Sequence, residues 1–202
     1  MEDNGGIEKI SSSGIAAFTD GNMQYAQKLI DSKLLPAAIT TPEQALIIIQ
    51  KGRELGLGPM ESFDSIDVIM GKPSLKPKSK LSMALSSGNV WTKTIKDWED
   101  VTDENGKVTD KVTTIKFFRR YGDTIVDNEV SFKYSEAAQM GYLSKSNWKS
   151  QPAIMAYWRA MSRGLDRVCP DLTRGMYMSD EVADFMNVDY TMTEDGEFKV
   201  VQ

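Results

Sequence analysis

The chain has 202 residues, 41% of them hydrophobic, enough for one medium domain with tails and a real core, which excludes global disorder. It has no histidine and one cysteine, Cys169, which excludes Ser-His-Asp and Cys-His catalysis, His-ligated or thiolate zinc sites and an intrachain disulfide. The net charge of −5 is unevenly spread: Ser179 to Gln202 holds seven acids and one base, Met1 to Asp20 four acids and one base, and Gly21 to Met178 22 bases against 18 acids.

In chain order, residues 1–20 read as a flexible acidic N-terminus. Residues 21–178 read as a mildly basic body, and 179–202 as an acidic C-terminal tail that either solubilises the chain or competes for the body's basic surface. Asn22 to Asp31 reads as a short helix. A longer one should start at Pro42, with Thr41 as N-cap and Gln44 completing a capping box. It should run to about Leu55 and stop at Gly56, burying Ala45, Leu46, Ile48, Ile49 and Gly52. Ser65 to Met70 alternates like a strand, Gly71 and Lys72 can turn it, and Pro73 to Leu75 can return. Pro77 opens a helix ending near Gly88. Strands follow at Val90 to Trp98, Val112 to Phe118 and Thr124 to Lys133. A short helix runs from Tyr134 to Met140, and a long one from Pro152 to Val168. The order is N-terminal helices, a β-hairpin, a three-stranded antiparallel meander and then a basic helix, an α+β fold.

The long helix sets the functional question. At about 100° per residue, Ile154, Trp158, Met161, Leu165 and Val168 form a core stripe, and Arg159, Arg163 and Arg167 fall opposite, rising about 6 Å per step. The arginines could be merely solvated, could meet acids of another subunit, or could track a phosphate backbone. Ala156 and Ala160 beside them favour close approach by a partner. Three further basic clusters point to nucleic acid. They are Lys72, Lys76, Lys78 and Lys80; Lys116, Arg119 and Arg120 among Phe117, Phe118 and Tyr121; and Lys145, Asn147, Trp148 and Lys149 just before the helix start, where an anion would sit well. Cations hold the backbone of a single strand while rings stack on its bases. Trp158 reads as core, Trp91 and Trp98 as strand packing, and Trp148 as either a staple of the helix start or a stacking ring. Of the adjacent Phe117 and Phe118, one must face away from the other. Cys169 reads as a buried structural thiol.

The segments LLPAAITTPEQAL, KGRELGLGPM and IDVIMGKPSL, followed by NWKSQPAIMAYWRAMSRGLDRVCPDLTRGMYMSDEV, resemble in order and spacing the two blocks of the RecT family of phage single-strand annealing proteins, together covering most of residues 25 to 182. The resemblance implies a β-β-β-α core and a protein that binds single-stranded DNA and anneals a complementary strand without ATP. It also implies a homo-oligomeric ring or helical filament, no cofactor, and the cytoplasm of a bacterial host. As partners it implies a phage 5′→3′ exonuclease and a host single-strand-binding protein. Lys72, Asn147, Trp148, Lys149, Arg159 and Arg163 fall at motif positions. Lys76, Lys78 and Lys80 are added on charge, and the apolar face of the Thr41 to Leu55 helix is the candidate subunit contact.

Several absences agree with a non-hydrolytic protein. GKPS at Gly71 to Ser74 has proline where a P-loop needs its hydroxyl residue, so no ATP hydrolysis is expected. The N-terminus has no apolar h-region, no run approaches the ~20 apolar residues of a membrane helix, and a lone cysteine fits a reducing compartment. Two rivals stand beside the annealing reading. One is a structural or adaptor oligomer whose arginines meet an acidic partner. The other is a carboxylate-dependent metal enzyme using Asp64, Asp67, Asp97, Glu99 and Asp100.

Overall fold

The computed structural model describes residues 19–201, so the first eighteen residues of the N-terminal segment lie outside it. Two compact units form, one ending at Asp64 and the other beginning at Ser65.

In the first unit, α1 (Asp20–Asp31) is capped by Thr19 and packs on α2 (Pro42–Glu54). The capping box of α2 is present: Thr41 Oγ1 accepts from the Gln44 amide at 3.4 Å, and Gln44 Oε1 accepts from the Thr41 amide at 3.2 Å. Gly56, at φ +80°, ends the helix in a Schellman turn, with Leu57 N–H donating to the Gly52 carbonyl and Gly56 N–H to that of Arg53. The buried face is Ala45, Leu46, Ile48, Ile49 and Gly52, as the periodicity requires. A Cβ on Gly52 would fall 1.8 Å from Ser62 Oγ, so α3 (Pro59–Ser65), which the sequence reading missed, leans directly on α2. That face is therefore used within the chain and is not the free subunit contact proposed from sequence.

In the second unit, β1 (Ile66–Ile69) and β2 (Lys72–Leu75) form a hairpin, followed by α4 (Pro77–Ser86). The turn is Met70-Gly71, both at positive φ, one residue earlier than expected. The meander β3 (Val90–Thr102), β4 (Val108–Tyr121) and β5 (Thr124–Lys133) is antiparallel in that order. Its first two strands outrun the expected bounds, and β3 passes Trp98 through register shifts with that residue at φ 55°. After α5 (Tyr134–Gln139), a 3₁₀ turn and α6 (Ser146–Ser150), α7 (Pro152–Val168) crosses β4 and β5. Gly164 permits the close approach, because a Cβ there would meet Phe117 Cε2 at 1.9 Å.

Residues after Ser179 are part of this fold and not a tail. They form α8 (Ser179–Phe185) and a hairpin of β6 (Tyr190–Met192) and β7 (Phe198–Val200). Val182, Ala183, Tyr190, Met192 and Phe198 join Ile115, Phe117, Val130, Phe132, Trp148, Trp158 and Leu165 in one core. Among the described residues no helix is long and apolar enough to cross a membrane.

Candidate nucleic-acid interface

α7 does not present an open arginine ladder. The segment expected as a tail covers that side of the helix, so α7 is buried nearly all round. Arg159 is only 5% exposed. It pairs with Asp180 at 3.5 Å, with Glu181 at 3.8 Å, and closely with Asp184, all on α8. Burial opposes its charge, but Asp180 and Asp184 outweigh that and push the guanidinium further up. Asp184 is shared with Lys145 at 2.7 Å and the Tyr190 hydroxyl at 3.3 Å. Asp180 has no hydrogen-bond donor on either carboxyl oxygen, and burial raises it to about 6 against the pull of Arg159. Arg163 pairs with Glu136 at 2.6 Å and lies 4.6 Å over the Phe132 ring. Of the three arginines of the expected ladder, Arg167 alone is exposed and makes no ion pair among the described residues.

The other clusters are dispersed for the same kind of reason. Lys80 is fully buried against Asp166 at 2.5 Å. Lys78 is exposed but bridges Asp195 at 3.2 Å and Glu197 at 3.1 Å, the acids of the β6–β7 turn. Lys72 lies 4.4 Å over the exposed Tyr177 ring, and Lys76 is half-buried just before α4. Asn147 and Trp148 are buried, and Trp148 packs on Tyr142 and Phe132 at 5.6 and 5.7 Å, so it is a core ring and not a stacking surface. Of that cluster only Lys149 is exposed. Arg119 turns inward, donates to the Val168 carbonyl at 2.6 Å and grips Asp171 through both terminal nitrogens, which raises the arginine and lowers the carboxylate. Cys169 is buried, and burial raises its thiol to about 11, as a structural thiol requires. Among the described residues no acid cluster is placed to hold a metal ion.

The exposed cations that do share a surface lie on the outer face of the meander. Alternation along β4 puts Ile115 and Phe117 in the core and Lys116, Phe118 and Arg120 on the opposite face. Register then brings Trp91 of β3 opposite Phe118, Lys93 opposite Lys116, and Lys96 opposite Thr114. Lys93, Lys96 and Arg120 are exposed and make no ion pair among the described residues. Lys116 pairs with Asp127 of β5, which raises its ammonium further. Trp91 and Phe118 stack at 5.4 Å with planes 8° apart. Sequence reasoning named Lys116, Arg120 and Phe118 and read Trp91 as strand packing, as its stack on Phe118 shows, but missed Lys93 and Lys96. The period-2 pattern in WTK and KFFRR was the available signal.

No protein-family model, curated protein or solved structure matches this chain. What the surface can do therefore rests on its own chemistry. A pair of lysines directly opposite on one sheet face repels, and that costs stability. Asp127 offsets Lys116 alone, which leaves Lys93, Lys96 and Arg120 for an anion supplied from outside.

Proposed function

We propose that this chain binds single-stranded DNA and anneals complementary strands without ATP, in homologous recombination of phage or mobile-element DNA. The observation that carries the reading is the outer face of the β3–β4–β5 sheet, where Lys93, Lys96 and Arg120, beside the Asp127-paired Lys116, are left open to a polyanion. The resemblance of the two sequence blocks to the RecT family supports the choice of annealing over simple binding. The mechanism is physical. Phosphates displace counterions on the sheet, a second strand pairs with the first, and further copies of the chain hold the product. A phage exonuclease and a host single-strand-binding protein are the partners this reading proposes, in a bacterial cytoplasm.

The test is annealing of two dye-labelled complementary oligonucleotides by the purified chain, without ATP, across a salt series. Acceleration that fades with salt is expected. With three phosphate contacts, at Lys93, Lys96 and Arg120, the binding constant should fall with a log–log slope of about −2, and Lys93→Gln with Lys96→Gln should bring it to about −0.7. No acceleration at any salt concentration would overturn the reading.

One observation favours the adaptor alternative. Val68 and Met70 on the first hairpin are 48% and 74% exposed, and Tyr177 and Phe185 form an exposed T-shaped pair beside Lys72. Such a surface suits another protein chain. Within the annealing reading it replaces the α2 face as the protomer contact. Assembly without annealing would favour the adaptor.

A further inference from the structure

We infer that the stacked Trp91–Phe118 pair is a base-stacking platform, so that the outer sheet face takes an unpaired strand through the ring faces of its bases, leaves their pairing edges open to a second strand, and discriminates against preformed duplex. The inference rests on the reading of that face as a polyanion surface and adds the kind of strand it accepts. Charge alone attracts single and double strands alike, since both carry phosphates. Stacking is different, because only an unpaired base can offer its ring face to a side chain.

The geometry places rings and cations alternately. Same-face residues repeat every ~6.7 Å along a strand, so Arg120, Phe118 and Lys116 make a cation–ring–cation row ~13 Å long on β4. Trp91 and Lys93 repeat the ring–cation step on β3, in register with Phe118 and Lys116. The Arg120 guanidinium lies over the Trp91 ring, 5.9 Å from its centroid, and Lys116 Nζ, which also pairs with Asp127, lies 5.4 Å over that of Phe118, so each ring has a cation beside it. Both rings are half-buried on the face opposite the core, and Phe117, which points the other way, is the one that α7 covers. A cross-strand ring pair does stabilise a sheet, but by only ~0.2–1 kcal/mol, and that role does not call for cations on every side.

The experiment titrates the full chain with oligo(dT) and with a duplex of equal length, following tryptophan fluorescence and anisotropy of a labelled strand. Oligo(dT) should quench the fluorescence, and Trp91→Phe should abolish the quench while keeping the affinity within a few-fold, because phenylalanine still stacks. Trp91→Leu with Phe118→Leu should weaken oligo(dT) binding about 5- to 150-fold, with duplex affinity and salt slope unchanged. Quenching that survives in Trp91→Phe, or single-strand affinity within twofold of wild type in the double variant, would overturn the inference. So would a wild-type chain that binds oligo(dT) no better than duplex. The two failures are separable. Annealing without a Trp91-dependent quench sinks the platform alone, whereas a Trp91-dependent quench without annealing keeps the platform and sinks the annealing function.

Discussion

Replacing Arg159 by methionine separates the two roles this residue could have. In the fold its guanidinium is the counter-charge to Asp180, Glu181 and Asp184, and both Asp180 and Asp184 are fully buried side chains. Removing one partner of a buried pair leaves an uncompensated charge and costs about 3–5 kcal/mol. That is a large share of the ~5–15 kcal/mol that holds a domain folded. Equilibrium urea denaturation followed by far-UV circular dichroism should show the midpoint falling accordingly. The loss should be unequal between the acids. Asp184 keeps Lys145 and the Tyr190 hydroxyl, whereas Asp180 has no donor at all. Adding Asp180→Asn to Arg159→Met should therefore recover ~1–3 kcal/mol. In the folded fraction, single-strand affinity and its salt slope should match wild type. The reasoning would be refuted by an Arg159→Met variant within 1 kcal/mol of wild-type stability whose salt slope flattened by about 0.7, which is the mark of a lost phosphate contact.

Two further outcomes follow from the same core. Asp180 titrates near 6 in the fold against ~3.9 unfolded, so the native state takes up the proton first as pH falls; its contribution is complete below ~4 and is lost as pH rises through 6. Between pH 7.5 and 5 wild type should gain ~1.4 kcal/mol of unfolding free energy relative to Asp180→Asn, and an identical pH profile in the two proteins would contradict the buried, unsatisfied carboxylate. Gly164→Ala should destabilise by ~1–3 kcal/mol in thermal unfolding despite alanine's better helix propensity, because its Cβ would meet the Phe117 ring; an unchanged or raised midpoint would mean that α7 does not press on β4 there.

The sequence was most legible where local rules decide. Thr41 and Gln44 set the start of α2, Gly56 its stop, and period 3.6 its buried face, and none of these needs a distant partner. The bounds of α7 were readable for the same reason, with Pro152 at its start and Pro170 beyond its end. The faces of α7 were not. Whether Arg159 meets water or carboxylates depends on a segment twenty residues away, and that segment was misjudged on charge. Its strands carry a signal after all: Tyr190 and Met192, then Phe198 and Val200, alternate around a turn closed by Gly196 at φ 82°. Acid content hid the alternation. α8 hid differently, since Ser179 sits inside the helix instead of capping it, and its buried acids make sense only beside Arg159 and Lys145.

The same segment explains how an acidic chain can offer a basic surface. Asp180, Glu181 and Asp184 are spent inside the fold on Arg159 and Lys145, and Asp195 and Glu197 are held at Lys78. Net charge is felt only at long range, and at physiological salt the screening length is about 8 Å. A phosphate at the meander's outer face is governed by the side chains within that distance: Lys93, Lys96, Lys116 and Arg120, with Asp127 and Glu129 across on β5. Asp127 and Glu129 sit on the edge strand β5, while Lys93 and Lys96 sit on β3 at the other edge. A strand lying along β3 and β4 would pass the cations and the two rings and leave β5 uncovered. If the face takes a strand, as proposed, that charge asymmetry would run it along β3 and β4, which the net charge of the chain could not indicate.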